Sequence, residues 1–201
     1  MLNTEDMTMS INSKYYDENA EVFISDTFEC DMSVQYHFFE HHLPKEAKTI
    51  LDLGFGSGRD SLYFMNKGFE VYAVDPSKKF CDNANKIGIK HVYQTIAQKI
   101  DFVDLFDGIW ACASLLHVPS KELNATFKKC YKSLRPKGVM YASFKYGDFE
   151  GERNGREFLD LNERSIEKFL KGTGFNIKDI LITEDVRPDK TTKWLNVILS
   201  K

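Results

Sequence analysis

The chain has 201 residues, 42% of them hydrophobic, with 16 Phe and 9 Tyr, which is enough to build a sizeable core. Its formal net charge is −3 with acids and bases interspersed, so it lacks the strongly basic composition of a protein that lives on nucleic acid. Its cysteines (Cys30, Cys81, Cys112, Cys130) are scattered without C-x-x-C spacing, so neither a zinc site nor a disulfide framework is expected, and the composition fits a reducing compartment. Residues 1–10 are polar with no apolar export core, and no apolar run reaches membrane-spanning length, so a soluble, cytoplasmic protein of one domain, 1–201, is expected.

In chain order, residues 12–24 and 31–42 read as two amphipathic helices, the second with Met32, Tyr36, Phe39 and His42 at helical spacing and Pro44 beyond its end. A buried strand over 49–53 breaks into Gly54, Gly56 and Gly58, a helix spans 59–67, and a second strand over 69–74 ends in Asp75. A helix over 79–86 and a short strand over 91–93 follow. The apolar run 108–113 is a central strand, and 120–134 a helix with Ser120 as N-cap. Arg135-Pro136-Lys137-Gly138 reads as a turn into a strand over 139–144, and the polar stretch 147–155 as a surface loop. Residues 162–171 are helical, and 175–184 with 193–199 form a closing strand pair. Alternating strands and helices predict an α/β, doubly wound sheet.

The glycines after the first strand carry the functional signal. They permit a tight turn and let a ligand lie against the main chain, and the first amides of the next helix suit an anionic group. Asp75 lies about twenty residues beyond Gly54, where a ribose-binding acid belongs in a nucleotide-binding βαβ unit. A dinucleotide fingerprint, G-x-G-x-x-G, needs a third glycine where Arg59 stands, which disfavours an NAD-dependent dehydrogenase.

The order Asp52-x-Gly54-x-Gly56-x-Gly58 resembles motif I of the class I S-adenosylmethionine (SAM)-dependent methyltransferases, and residues 107–118 resemble motif IV. Leu134-Arg135-Pro136-Lys137-Gly138-Val139 resembles the turn before the fifth strand of that fold. With Gly56-Ser57-Gly58-Arg59-Asp60, these segments are similar to the small tellurite-resistance (TehB-like) methyltransferases. The resemblance implies a Rossmann-like seven-stranded sheet with an antiparallel last strand (46–201) under N-terminal lid helices (1–45). It implies SAM as cofactor, with Asp52 facing the methionine ammonium, Gly54, Gly56 and Gly58 making room, and Asp75 accepting from the ribose hydroxyls. By the same resemblance Tyr16 and Tyr15 are expected to approach the methionine end, and Ile96 and Ala97 to flank the adenine. Phe55 is bulky for this loop and is expected to point away from the cofactor.

A sulfonium brings its own leaving group, so the protein has to align a nucleophile, exclude water and, for a weak nucleophile, remove a proton. Ligands of open α/β sheets sit outside the carboxyl ends of the strands, which places Ser114 to His117 and Lys145-Tyr146 near the chemistry. His117 is the candidate base, and Tyr146 a candidate for closing the pocket or orienting a substrate oxygen. Lys145 reads as solvated. Arg187 and Trp194 are candidates for binding an anionic substrate, Arg59 for the cofactor carboxylate, and Asp60 for complementing a helix dipole. No metal-ligand cluster is evident.

The expected function is methyl transfer to an O, N, S or chalcogen atom of a small molecule. A non-catalytic SAM- or nucleoside-binding module is the alternative from another class. Nucleic-acid methylation is disfavoured, because the fourth strand lacks an Asn/Asp-Pro-Pro-aromatic signature and no Pro-Cys or Thr-Cys pair is present. Oligomeric state and the acceptor atom stay open at this level.

Overall fold

The computed structural model describes residues 11–187 and 190–201. Residues 1–10, with the polar start read above, and Pro188 of the closing hairpin lie outside the described residues. Three helices lead the chain, α1 (Ile11–Glu18), α2 (Ala20–Thr27) and α3 (Ser33–Glu40). The helix expected over 12–24 is thus two, separated at Asn19, whose side chain donates to the Tyr15 carbonyl. Then follow β1 (Thr49–Leu53), α4 (Arg59–Asn66), β2 (Glu70–Asp75), α5 (Lys78–Lys86), β3 (His91–Gln94), β4 (Phe106–Ala111), α6 (Ser120–Ser133) and β5 (Leu134–Lys145). The chain closes with β6 (Glu150–Arg153), β7 (Arg156–Leu159), α7 (Glu163–Leu170), β8 (Asn176–Glu184) and β9 (Lys193–Ser200).

Seven strands form one sheet in the order β3-β2-β1-β4-β5-β9-β8. β1 to β5 pair in parallel, as the doubly wound reading expects, and the last strand, β9, runs antiparallel to both β5 and β8, as the family resemblance implies. β1 is buried at every position because helices cover both faces, which is why it reads as a near-continuous apolar run. Ile50, Trp110, Tyr141 and Ile198 face Met32, Tyr36, Phe39 and Phe64 of the α3–α4 side. Leu51, Leu53, Ile109 and Met140 face Leu123, Phe127 and Ile166 of the α6–α7 side. α3 seats on the sheet where Gly108 leaves a gap: a Cβ there would lie 2.7 Å from Phe39 and Leu43.

Several local readings change. Ser120 is the first helical residue rather than the cap; Pro119 precedes it, and the Ser120 amide donates to Glu150 Oε1. The expected turn at 135–138 is a bulge inside β5, four residues opposite Asp107, held by Arg135 donating to both Asp107 oxygens. The expected loop 147–155 contains β6, which pairs with β7 as a hairpin. Its turn is Asn154-Gly155, both with positive φ (52° and 76°), the type I′ geometry that Asn-Gly favours. No helix among the described residues is long and apolar enough to cross a membrane.

Candidate active site

The chain leaves β1 toward β2 and β3, then crosses back to β4 on the other side of β1, so the crevice of this sheet opens between β1 and β4. A cavity of about 510 Å³ lies there, within the range of small-molecule sites. Its floor is the set of strand ends: Leu53 to Ser57 after β1, Asp75, Thr95 to Gln98, Cys112 to Ser114, and Ser143 with Lys145 of β5. Asn12, Ser13 and Tyr16 of α1, Phe23 of α2 and Arg156 to Phe158 of β7 form the opposite wall.

The glycine loop is shaped by its contacts. Gly54 has φ +81°, and a Cβ would lie 2.3 Å from Ser114 Cβ, which Ser114 Oγ pins by donating to the Leu53 carbonyl. Gly56 lies under Phe23, 3.0 Å from where a Cβ would reach. Gly58 departs from the expectation. It is not on the cavity wall, and its missing Cβ admits Ile87 of the α5 end, so it serves helix packing. Phe55 lodges among Ala20, Phe80 and Ala84 while its loop borders the cavity.

Asp75 does face the cavity. Its Oδ2 accepts from the Gly56 amide at 3.1 Å and its Oδ1 from the Ser77 amide at 2.9 Å, which fixes the carboxylate and leaves each oxygen a further lone pair. Burial pushes its pKa up to about 6 despite those amides. Ile96 and Ala97 line the cavity beside it.

Asp52 does not. It is buried beneath the loop, where Ser61 Oγ donates to it at 2.6 Å, and it is absent from the cavity wall. Burial, with Asp60 nearby, holds it well above the ordinary carboxylate range, so it is poorly suited to meet an ammonium group. The sequence missed the larger role of Asp60. This buried carboxylate accepts from Tyr36 Oη (2.5 Å), Trp110 Nε1 (2.8 Å), Arg59 Nε (2.6 Å) and Arg59 Nη2 (3.0 Å). Arg59 also donates to the Thr27 carbonyl, tying α2 to α4, and so brings only part of its guanidinium to the cavity it lines.

His117 and Tyr16, 101 residues apart, meet at 2.8 Å between Tyr16 Oη and His117 Nε2. His117 Nδ1 lies 2.7 Å from the Glu157 carbonyl, which only accepts, so Nδ1 carries the proton and Nε2 accepts from Tyr16. Arg156 Nη1 donates to Tyr16 Oη at 3.2 Å. Burial, reinforced by the charges of Arg156 and Lys145, pushes the His117 pKa down to about 4, whereas burial pushes the Tyr16 phenol up. The ring is therefore neutral at pH 7. Asn12 clasps the same spot, accepting from the Glu157 amide and donating to its carbonyl.

Tyr146 is displaced from its expected role. It is 41% exposed, donates to Glu163 Oε2 and is not on the cavity wall, whereas Lys145 is. Alternate residues of a strand point to opposite faces, so Ser143 and Lys145 share the cavity side and Tyr146 cannot. Arg187 and Trp194 line the cavity, but Arg187 is bound bidentately to Asp185 and Trp194 Nε1 donates to the same acid. Arg187 is therefore already neutralised. Cys112 also lines the cavity; burial pushes its thiol up to about 12, so it is no nucleophile at neutral pH. Arg156 and Phe158 escaped the sequence reading because 147–155 was taken for a loop and the strand after it was given no element, although Asn154-Gly155 marks a hairpin.

A sheet wound as 3-2-1-4-5 with an antiparallel strand inserted beside β5, and a glycine loop facing an acid at the end of β2, has the architecture of the methyltransferase fold. Residues 50–138 match the family described as a methyltransferase domain. Over 122 residues the chain is 30% identical to a Bacillus subtilis protein named as a methyltransferase, YqeM, covering 55% of this chain and 49% of the relative, so it spans about half that relative's length. A Staphylococcus carnosus protein named as an uncharacterized methyltransferase is 28% identical over 180 residues, 84% of this chain and 86% of its own. The crystal structure of Burkholderia thailandensis 1,6-didemethyltoxoflavin-N1-methyltransferase with bound 1,6-didemethyltoxoflavin and S-adenosylhomocysteine shares the fold, with a TM-score of 0.78 at 20% identity over 100% of this chain and 97% of that one. The match over residues 50–138 is thus to a methyltransferase domain, and the likeness to the solved structure is one of fold.

Proposed function

We propose that the protein transfers the methyl group of SAM to an O, N, S or chalcogen atom of a small molecule. The observation that carries this reading is that the glycine loop, Asp75 and the Tyr16–His117 pair line one cavity. The residues fit the cofactor. Gly54 and Gly56 present bare backbone, Asp75 keeps free lone pairs for ribose hydroxyls, and Ile96 and Ala97 offer an apolar wall for adenine. Arg59 has N–H groups left for a carboxylate. When bound, SAM supplies an activated methyl group whose leaving group is a neutral thioether.

The chain's own contribution is positioning and proton transfer. A nucleophile seated at Tyr16 Oη hands its proton to that oxygen while Tyr16 passes its own to His117 Nε2, and Nδ1–H stays on the Glu157 carbonyl throughout. A base of pKa about 4 is too weak to ionise an alcohol beforehand, but it suffices once methylation has made the oxygen a strongly acidic oxonium, whereas a methylated amine keeps its proton and leaves as the ammonium ion. Positioning can supply roughly 7–11 kcal/mol of such a barrier and the proton transfer about 10²–10⁴-fold.

In this reading residues 1–201 act as one domain, with 46–201 as the core and 1–45 as the lid. α1 covers the cavity and is fastened to β7 through Asn12. The resemblance to tellurite-resistance proteins supports a chalcogen among the candidate acceptor atoms, and a cytoplasmic setting suits the free cysteines. Side-by-side calorimetric titration with SAM, S-adenosylhomocysteine and NAD tests the cofactor: micromolar binding of the first two and none of NAD is expected. Tyr16→Phe should then lower turnover about 100-fold with little change in S-adenosylhomocysteine affinity. Full activity in that variant would make the pair structural.

A further inference from the structure

Cations around the cavity are unevenly compensated. Arg59 is paired with Asp60, Arg153 with Asp160 and Arg187 with Asp185. Lys145 and Arg156 line the cavity and make no ion pair with a carboxylate among the described residues. Both lie against Phe158, with Lys145 Nζ 4.0 Å and the Arg156 guanidinium carbon 5.2 Å from the ring centre. Arg156 uses one nitrogen on Tyr16, and its Nε is buried without a partner. Partly desolvated cations without a paired carboxylate are costly to keep, although the charge of Asp160 offsets part of that cost at Lys145, and a buried unpaired donor calls for an explanation.

Their place in the sheet separates them from the nucleoside end. Asp75 ends β2 and Lys145 ends β5, three strand spacings apart along β2-β1-β4-β5, or about 14 Å at the usual inter-strand distance. Between the two ends lies the Tyr16–His117 pair, which Arg156 contacts directly. We propose that the methyl acceptor is a small organic anion whose carboxylate or phosphate pairs with Lys145 and Arg156 while its nucleophilic atom sits at Tyr16 Oη. Phe158 and Trp194, which also line the cavity, take the apolar body of such a molecule. Lys145 has its pKa lowered by burial and by Arg153 beside it, and a bound anion relieves that strain between like charges.

This inference rests on the methyltransferase reading, and its test separates the two. The protein is first saturated with S-adenosylhomocysteine, then titrated calorimetrically with benzoate, phenyl phosphate and neutral benzyl alcohol. At least one anion should bind about tenfold or more tightly than benzyl alcohol, as charge-assisted hydrogen bonds predict. Lys145→Met should abolish most of that preference while leaving S-adenosylhomocysteine affinity unchanged, and Arg156→Leu should do the same if it folds. Preference for benzoate identifies a carboxylate acceptor, and preference for phenyl phosphate a phosphorylated one. Equal binding of all three, binding of none, or an anion preference that survives Lys145→Met would overturn the inference and leave the cofactor reading standing. Failure to bind S-adenosylhomocysteine at the outset would overturn both.

Discussion

Asp75→Asn should make the free protein more stable and the cofactor site weaker. The Asp75 carboxyl is buried, and its pKa in the folded chain is about 6 against about 3.9 for an unperturbed aspartate. At 1.36 kcal/mol per unit, the roughly two-unit rise means that the ionised form is about 3 kcal/mol less favourable in the folded chain than in the unfolded one. Because the folded value is the higher, the stability held by the protonated acid is fully present below about pH 4 and is lost as pH rises through about 6. At pH 7 the wild type bears the whole cost. Asparagine removes the charge but sets its NH₂ against one of the two amides, Gly56 or Ser77, which returns about 1 kcal/mol. A net gain of about 2 kcal/mol at pH 7 follows, shifting the urea midpoint by about 1 M and fading below about pH 4. The same change deprives the ribose hydroxyls of a charged acceptor and should raise the Kd for S-adenosylhomocysteine about tenfold. Urea titrations at several pH values and calorimetry measure both halves. A variant less stable than wild type at pH 7 would show that the amide hydrogen bonds outweigh desolvation. Unchanged affinity would take Asp75 out of the cofactor site.

Two further substitutions probe the geometry around the site. Gly54→Ala carries left-handed strain (φ +81°) and forces a Cβ to within 2.3 Å of Ser114, so it should cost about 3 kcal/mol or more in urea unfolding. Gly68→Ala has similar φ (+91°) but meets nothing within 4 Å and should cost only about 1–2 kcal/mol; equal costs would remove Ser114 from the account. Tyr146→Phe loses a hydrogen bond to Glu163 on the outside of the sheet end, so it should leave turnover unchanged and stability within about 0.5 kcal/mol. A large fall in turnover would return Tyr146 to the chemistry.

The sequence by itself determined the first βαβ unit: strand, glycine loop, helix, strand and terminal acid. Those features are local. An apolar run buried on both faces, glycines in left-handed backbone and an acid ending the next strand are written within some thirty residues, and the sheet order follows from their alternation with helices. The β6–β7 hairpin was equally legible in Asn154-Gly155, but a polar stretch with glycines reads as a loop until the paired φ values show the turn. Only the tertiary structure decided the partners of the polar side chains. Asp52 and Asp60 both stand near the loop, yet it is Asp60 that the indole of Trp110 and the phenol of Tyr36 reach. The inward side of β5 is set by strand parity, which one residue's error in placing the strand reverses, and so Lys145 rather than Tyr146 faces the cavity. Tyr16, His117 and Arg156 meet only when α1, the end of β4 and β7 pack together, because side-chain hydrogen bonding acts over about 3 Å whatever the separation along the chain.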